Sequence, residues 1–174
     1  MDTFVEQIVA KKKGAKEYAI IFGSITAALI IITIFLPYLF AFSPLSLLII
    51  AGIGYGIWWF LTSLNIEYEY SVTNGEIDID QIIARRKRKR IVSVAGSKIE
   101  VLEPYNAPDY AVRQFDRRVI AAPSLAENDL WCFTYRSKKN GHTLVVFQPE
   151  KRVLEALKSG LSALVLRETN KKTQ

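Results

Sequence analysis

Two uncharged apolar stretches near the N-terminus constrain this chain more than any other feature. Residues 18–40, YAIIFGSITAALIIITIFLPYLF, hold no Asp, Glu, Lys or Arg. As a helix they would extend roughly 34 Å, enough to cross a hydrocarbon core of about 30 Å. Residues 45–64, LSLLIIAGIGYGIWWFLTSL, are likewise uncharged and reach about 30 Å as a helix. The link AFSP, 41–44, can only turn the chain. The pattern predicts a transmembrane helical hairpin over 18–64, with helices at 18–40 and 45–64. A cleaved signal peptide fits less well, because its apolar core is about 7 to 15 residues.

The lysines orient this hairpin. Lys11, Lys12, Lys13 and Lys16 precede the first helix and the link carries no charge, so the positive-inside rule places both termini in the cytoplasm of a multi-pass cell-membrane protein. The formal net charge is +6 and the isoelectric point near 9.4, a balance that calls for an acidic partner, with a membrane surface the nearest one.

The second helix contains GIGYG, residues 52–56, which looks like a potassium-channel filter. Such a filter sits on a re-entrant loop between two complete membrane helices, and here the glycines fall within a helix. Gly52 and Gly56 instead have the spacing that lets a neighbouring backbone approach closely in lipid. The neighbour is either the first helix, through Gly23, Ala27 and Ala28, or a second copy of the chain, giving a homo-oligomer. Trp58, Trp59 and Phe60 suit the headgroup region at the cytoplasmic end.

Residues 1–17 form a basic cytoplasmic segment. Thr3 and Glu6 match a capping box, and Phe4, Val5, Ile8 and Val9 would make one apolar side of a short helix ending at Lys11–Lys13 and lying on the membrane surface.

From Asn65 the period changes. Ile66, Tyr68, Tyr70 and Val72 alternate with Glu67, Glu69 and Ser71, the pattern of a half-buried strand. Asn74-Gly75 then signals a hairpin turn into IDIDQII. Further strands are expected at 91–94, 99–102, 119–121, 130–136 and 143–148, with a long loop between 104 and 118. Pro149 opens a terminal helix in which Val153, Leu154, Leu157, Leu161, Leu164 and Val165 recur at helical spacing. Residues 65–174 are therefore expected to form a cytosolic domain of about seven strands in hairpin order, a bent antiparallel sheet or barrel capped by one amphipathic helix.

This order of elements, with YEYSVTNGEIDIDQIIARRKRKRIVSV just after a membrane hairpin and FQPEKRVLEALKSGL near the end, resembles uncharacterised bacterial membrane proteins whose cytosolic part is pleckstrin-homology-like. The resemblance implies an α+β membrane protein with a fold that binds lipids or proteins elsewhere, and fold alone does not fix function. Lipid-reading pleckstrin-homology domains collect basic residues in the connection between their first two strands. Here that connection is read as the tight Asn74-Gly75 turn, so a phosphoinositide pocket is not carried over.

The remaining signal is the basic run Arg85, Arg86, Lys87, Arg88, Lys89 and Arg90. If the first strand leaves the membrane and the second returns, this run lies near the level at which the chain emerged. It would then contact anionic lipid, together with Lys11, Lys12 and Lys13, at about 1 kcal/mol each. A solvated sheet edge is the competing reading. Nucleic acid is disfavoured because no aromatic residue lies between Ile82 and Leu102. His142 sits in an expected hairpin turn, Cys132 alternates with Trp131 and Phe133 in a strand, and Asp78 and Asp80 share a strand face without further ligands. No catalytic, metal or cofactor constellation emerges. The expected function is a non-enzymatic membrane-anchored binding or scaffold module with membrane lipids and an unidentified protein as partners. The alternative is an accessory subunit of a transporter or channel complex that uses the glycine-bearing helix.

Overall fold

The computed structural model describes residues 3–41 and 43–173, in two compact units. The first unit comprises Met1–Lys11 and Ile66–Gln174, and the second is Lys12–Asn65. The helical segment is thus an insertion within a β-domain and not a leader in front of it.

The expected surface helix at the N-terminus is instead a strand, β1 (Phe4–Ala10), paired antiparallel with β2 (Ile66–Thr73) over its whole length. FVEQIVA satisfies both periods, and pairing decides between them. As a strand it turns Val5, Gln7 and Val9 inward, and the Gln7 amide donates to the Gln148 carbonyl (3.0 Å) and accepts from the Glu150 N–H (2.8 Å). Half of a capping box does form, but further on, at an N-cap that has no side chain of its own. The Gly14 N–H donates to the Glu17 carboxylate (2.9 Å) at the start of α1 (Ala15–Ala41).

α1 runs through Pro37, and α2 (Ser43–Ser63) follows it. Phe42, in the expected link, lies outside the described residues. Among the described residues one segment, Ala15–Ile34 with mean hydropathy 2.0, is long and apolar enough to cross a membrane, and Leu48–Ser63 is a shorter apolar segment. The two helices touch. On α1 the less exposed positions include Ile21, Ser24, Ala28 and Ile32; on α2 they include Ile53, Ile57 and Leu61. These spacings of three and four mark one face of each helix.

The β-unit contains two four-stranded sheets that do not close into a barrel. The first has the order β1-β2-β3-β4, all antiparallel, with β3 Glu76–Ile83 and β4 Lys87–Ala95. The second has the order β5-β7-β8-β6, with β5 Ile99–Pro104, β6 Arg117–Ala121, β7 Trp131–Ser137 and β8 Gly141–Phe147. Hairpin order fails at β6, which pairs parallel with β8. The expected long loop contains a short helix, α3 (Ala107–Val112).

The main core gathers Tyr70, Val72, Ile77 and Ile79 of the first sheet, Phe133, Val145 and Phe147 of the second, and Val153 and Leu157 of α4 (Lys151–Lys158). The Tyr70 hydroxyl donates to the Ala121 carbonyl and accepts the Gln148 N–H (3.3 Å); burial raises its pKa. A second core on the other face of the second sheet holds Tyr110, Leu130, Cys132, Leu144 and Val146.

The expected single terminal helix is broken. α4 ends near Ser159, and α5 (Ala163–Thr173) follows on a new phase that leaves Leu164 75% exposed. Three glycines meet at the break. A Cβ on Gly160 would stand 2.5 Å from the Gly75 Cα, and one on Gly96 would stand 2.6 Å from the Gly75 carbonyl oxygen. Gly75 itself has φ +78° at the β2–β3 turn.

Candidate functional site

The connection between the first two strands is not the Asn74-Gly75 turn, which joins β2 to β3. It is the inserted helical pair, entered through the basic residues Lys11, Lys12, Lys13 and Lys16. The chain leaves the first sheet at Lys11 and rejoins it at Ile66, where the Lys11 N–H donates to the Ile66 carbonyl (2.9 Å). Ile66 is in register with Ile83, so the β3–β4 turn lies at this same end of the sheet. The Arg86 N–H closes the turn on the Ile83 carbonyl (3.0 Å), and Ala84 and Arg85 both have left-handed backbones, φ 54° and 55°. Two consecutive non-glycine residues in that region cost about 1–2 kcal/mol each.

Strand alternation divides the basic run, which was expected to act as a block. Arg88 and Arg90 are on the sheet's outer face and close over its carboxylates. Arg88 bridges Glu69 and Asp80, its Nε lying 2.9 Å from Asp80. Arg90 bridges Asp80 and Asp78, each at 3.0 Å, and the hydrogen bond to Asp80, followed by the charge of Asp78, raises its pKa. Arg85 reaches Glu67 at 3.2 Å. Asp78 and Asp80 are therefore ion-paired and not simply solvated. Lys87 and Lys89 pair with Ile83 and Gln81 on the opposite face; both are exposed, and neither has a carboxylate partner among the described residues. Lys87 to Arg90 begin β4, the edge strand of its sheet, where lysines oppose edge-to-edge association.

At the other edge is β1. The bonds of Lys11 and Thr3 to β2 place the odd-numbered backbone groups inward, leaving those of Phe4, Glu6, Ile8 and Ala10 at the free edge. Phe4 and Ile8 are 63% and 56% exposed. An edge of this kind can accept an added strand.

The glycines do not mediate the contact between α1 and α2. A Cβ on Gly23, Gly52, Gly54 or Gly56 would meet nothing within 4 Å, and Ala27 is exposed while Ala28 is buried. Close backbone approach inside the chain is replaced by the Ala28 and isoleucine face, so the glycine face stays open.

In the second sheet Cys132 is fully buried, and burial, the largest influence, pushes its thiol up to about 12. Glu103, pairing with Cys132 across β5 and β7, accepts from the Tyr110 hydroxyl and the Lys172 ammonium. Burial alone would raise the Glu103 pKa; the bonds from Lys172 and then Tyr110 outweigh it and lower it. With Thr169 donating to the Leu102 carbonyl (2.8 Å), this fastens α5 to β5. His142 is half-buried at the start of β8, its ring 4.8 Å from that of Phe115. The expected hairpin-turn position is therefore displaced into the strand. Around it converge Arg113, Arg118 and Arg136, which line one open cleft with His142. They come from separate segments, and no local spacing in the sequence announces them. Among the described residues no group of three or more His, Cys, Asp or Glu is placed to hold a metal.

No curated protein and no solved structure matches the chain. A family model does match, over residues 1–166, which include β1, the inserted helices, both sheets and α4. The chain belongs to the family described as Bacterial PH-like domain (DUF6106), a family of unknown function.

Proposed function

We propose that this protein is a membrane-anchored, non-enzymatic binding or scaffold module, held at the cell membrane with both termini in the cytoplasm. The observation that carries the reading is the insertion of α1 and α2 between two neighbouring strands of one sheet. Because β1 and β2 pair, residues on either side of the insertion must lie on the same side of a bilayer. If α1 crosses, α2 has to cross back. The lysines before α1 then set the cytoplasmic side.

Lys11, Lys12, Lys13 and the β3–β4 turn bring positive charge to the end of the sheet from which the insertion departs. Lys87 and Lys89 are the members of the run assigned to the anionic leaflet, at about 1 kcal/mol each. Arg85, Arg88 and Arg90 are committed to the carboxylates of their own sheet. Charge of this size orients a domain that the helices already tether. A second reading, an accessory subunit of a transporter or channel complex, is favoured by the open backbone at Gly52, Gly54 and Gly56, which would receive a neighbouring helix.

A spin label at Lys89→Cys in the full chain, reconstituted in nanodiscs, tests the lipid contact. The expected result is headgroup-depth contact in anionic nanodiscs that is absent in neutral ones. It should fade as salt shortens the Debye length from about 10 Å at 0.1 M to about 3 Å at 1 M. Equal exposure in both lipids would overturn it.

A further inference from the structure

The basic run is not the one place in the molecule where cationic side chains gather. On the second sheet, an open cleft of about 760 Å³ is lined by Arg113, Arg118, Arg136 and His142, with Phe115 and Asp116 between them. Its wall is held in place. The Asp116 N–H donates to the His142 carbonyl (3.0 Å) and the His142 N–H returns to the Asp116 carboxylate (2.7 Å). Gly141, at φ +63°, permits this, since a Cβ there would lie 2.2 Å from Asp116 Oδ2. Arg118 donates to the carbonyls of Tyr110 (3.0 Å) and Arg113 (2.8 Å), anchoring the end of α3.

Three arginines face one carboxylate within the lining of this cleft. Asp116 is the one carboxylate in its lining, and its Oδ2 is occupied by the His142 backbone N–H. Glu100, outside the lining, sits 3.3 Å from Arg136 and 3.5 Å from His142 Nε2. Arg113 forms no ion pair within 4 Å among the described residues, although its charge acts on the nearby Glu103; its guanidinium lies over the Tyr110 ring at 4.9 Å, as Arg118 lies over Phe115 at 5.6 Å. Stacked on a ring, the Arg113 guanidinium keeps its in-plane N–H donors available, in the fork that fits tetrahedral oxyanions, whereas Arg118 spends Nη2 on two carbonyls.

From this convergence we infer that the cleft binds a phosphate-bearing ligand, with Arg113 as its principal donor, Arg136 sharing its guanidinium between the ligand and Glu100, and Arg118 and His142 completing the positive wall. A cleft of this volume admits a phosphorylated small molecule. The site is on the opposite sheet from the basic run and stands independently of the membrane reading.

The test is calorimetric titration of the full chain, in a detergent lacking phosphate, with inorganic pyrophosphate and separately with short-chain phosphatidic acid, at matched ionic strength. Saturable binding is expected for at least one. Arg113→Gln and Arg136→Gln should each weaken it about tenfold or more, the scale of a lost charge-assisted hydrogen bond, while Lys87→Gln with Lys89→Gln leaves it unchanged. Unchanged melting of each variant shows that it is folded, and either arginine variant alone suffices. Tighter binding of phosphatidic acid assigns the ligand to a lipid headgroup; tighter binding of pyrophosphate assigns it to a soluble compound. No saturable binding, or an equal loss from the lysine variant, overturns the proposal.

Discussion

A chain that begins at Asn65 is expected not to fold, whereas one in which residues 1–11 are joined to 66–174 through Asn-Gly is expected to fold as a soluble domain. Without β1 the backbone groups of β2 that face it lose their partners, along with the inward contacts of Val5 and Val9 and the two Gln7 hydrogen bonds. At about 1 kcal/mol net per hydrogen bond, the loss is on the order of 5 kcal/mol, comparable with the whole stability of a small domain. The exposed edge of β2 would also invite aggregation. The graft works because Lys11 and Ile66 are a hydrogen-bonded pair at 2.9 Å, the geometry that a two-residue turn closes. Thermal melts and gel filtration of the two shortened chains check this. Equal stability of the chain that begins at Asn65 would show that β1 is dispensable.

The second large effect is expected at the three-glycine contact. Gly160→Ala drives a Cβ to 2.5 Å from backbone atoms of Gly75, at the turn that starts β3. Neither side can yield by rotating a side chain, so the cost lies at the upper end for overpacking. That is about 3 kcal/mol, with a melting midpoint about 10 °C lower or more. Gly54→Ala is the matched control, because a Cβ there meets nothing within 4 Å, and alanine is the better helix former. Similar melting of the two variants would remove the packing argument.

The sequence is most legible where structure is local. β2, β3, β7 and β8 follow from alternation and from the Asn74-Gly75 turn, and the order of elements points to a pleckstrin-homology-like fold. What escapes is set by distant partners. β1 carries both helical and strand periods, and the strand that decides between them is β2, beyond the insertion. Without β1 the strand count shifts by one, so the turn after the second strand reads as the connection after the first. In β4 the residues 87–90 are all basic, which hides an alternation that only the carboxylates of β2 and β3 reveal. Gly160 looks like a helix interruption of no consequence until Gly75 and Gly96 are beside it. The Arg113, Arg118, Arg136 and His142 cleft is invisible in sequence for the same reason, since four separated residues meet only when β6 pairs with β8.

In the proposed topology the helical pair leaves one sheet, enters the membrane and returns to the same sheet. Single cysteines in intact bacterial cells put this to the test. Cys132 is fully buried and gives little background to a membrane-impermeant thiol reagent. Ser43→Cys, at the start of α2, should be labelled from outside, while Thr3→Cys and Lys138→Cys, on the β-unit, should be labelled only after the cells are opened. Labelling of the β-unit from outside, or protection of Ser43→Cys until lysis, would refute this topology.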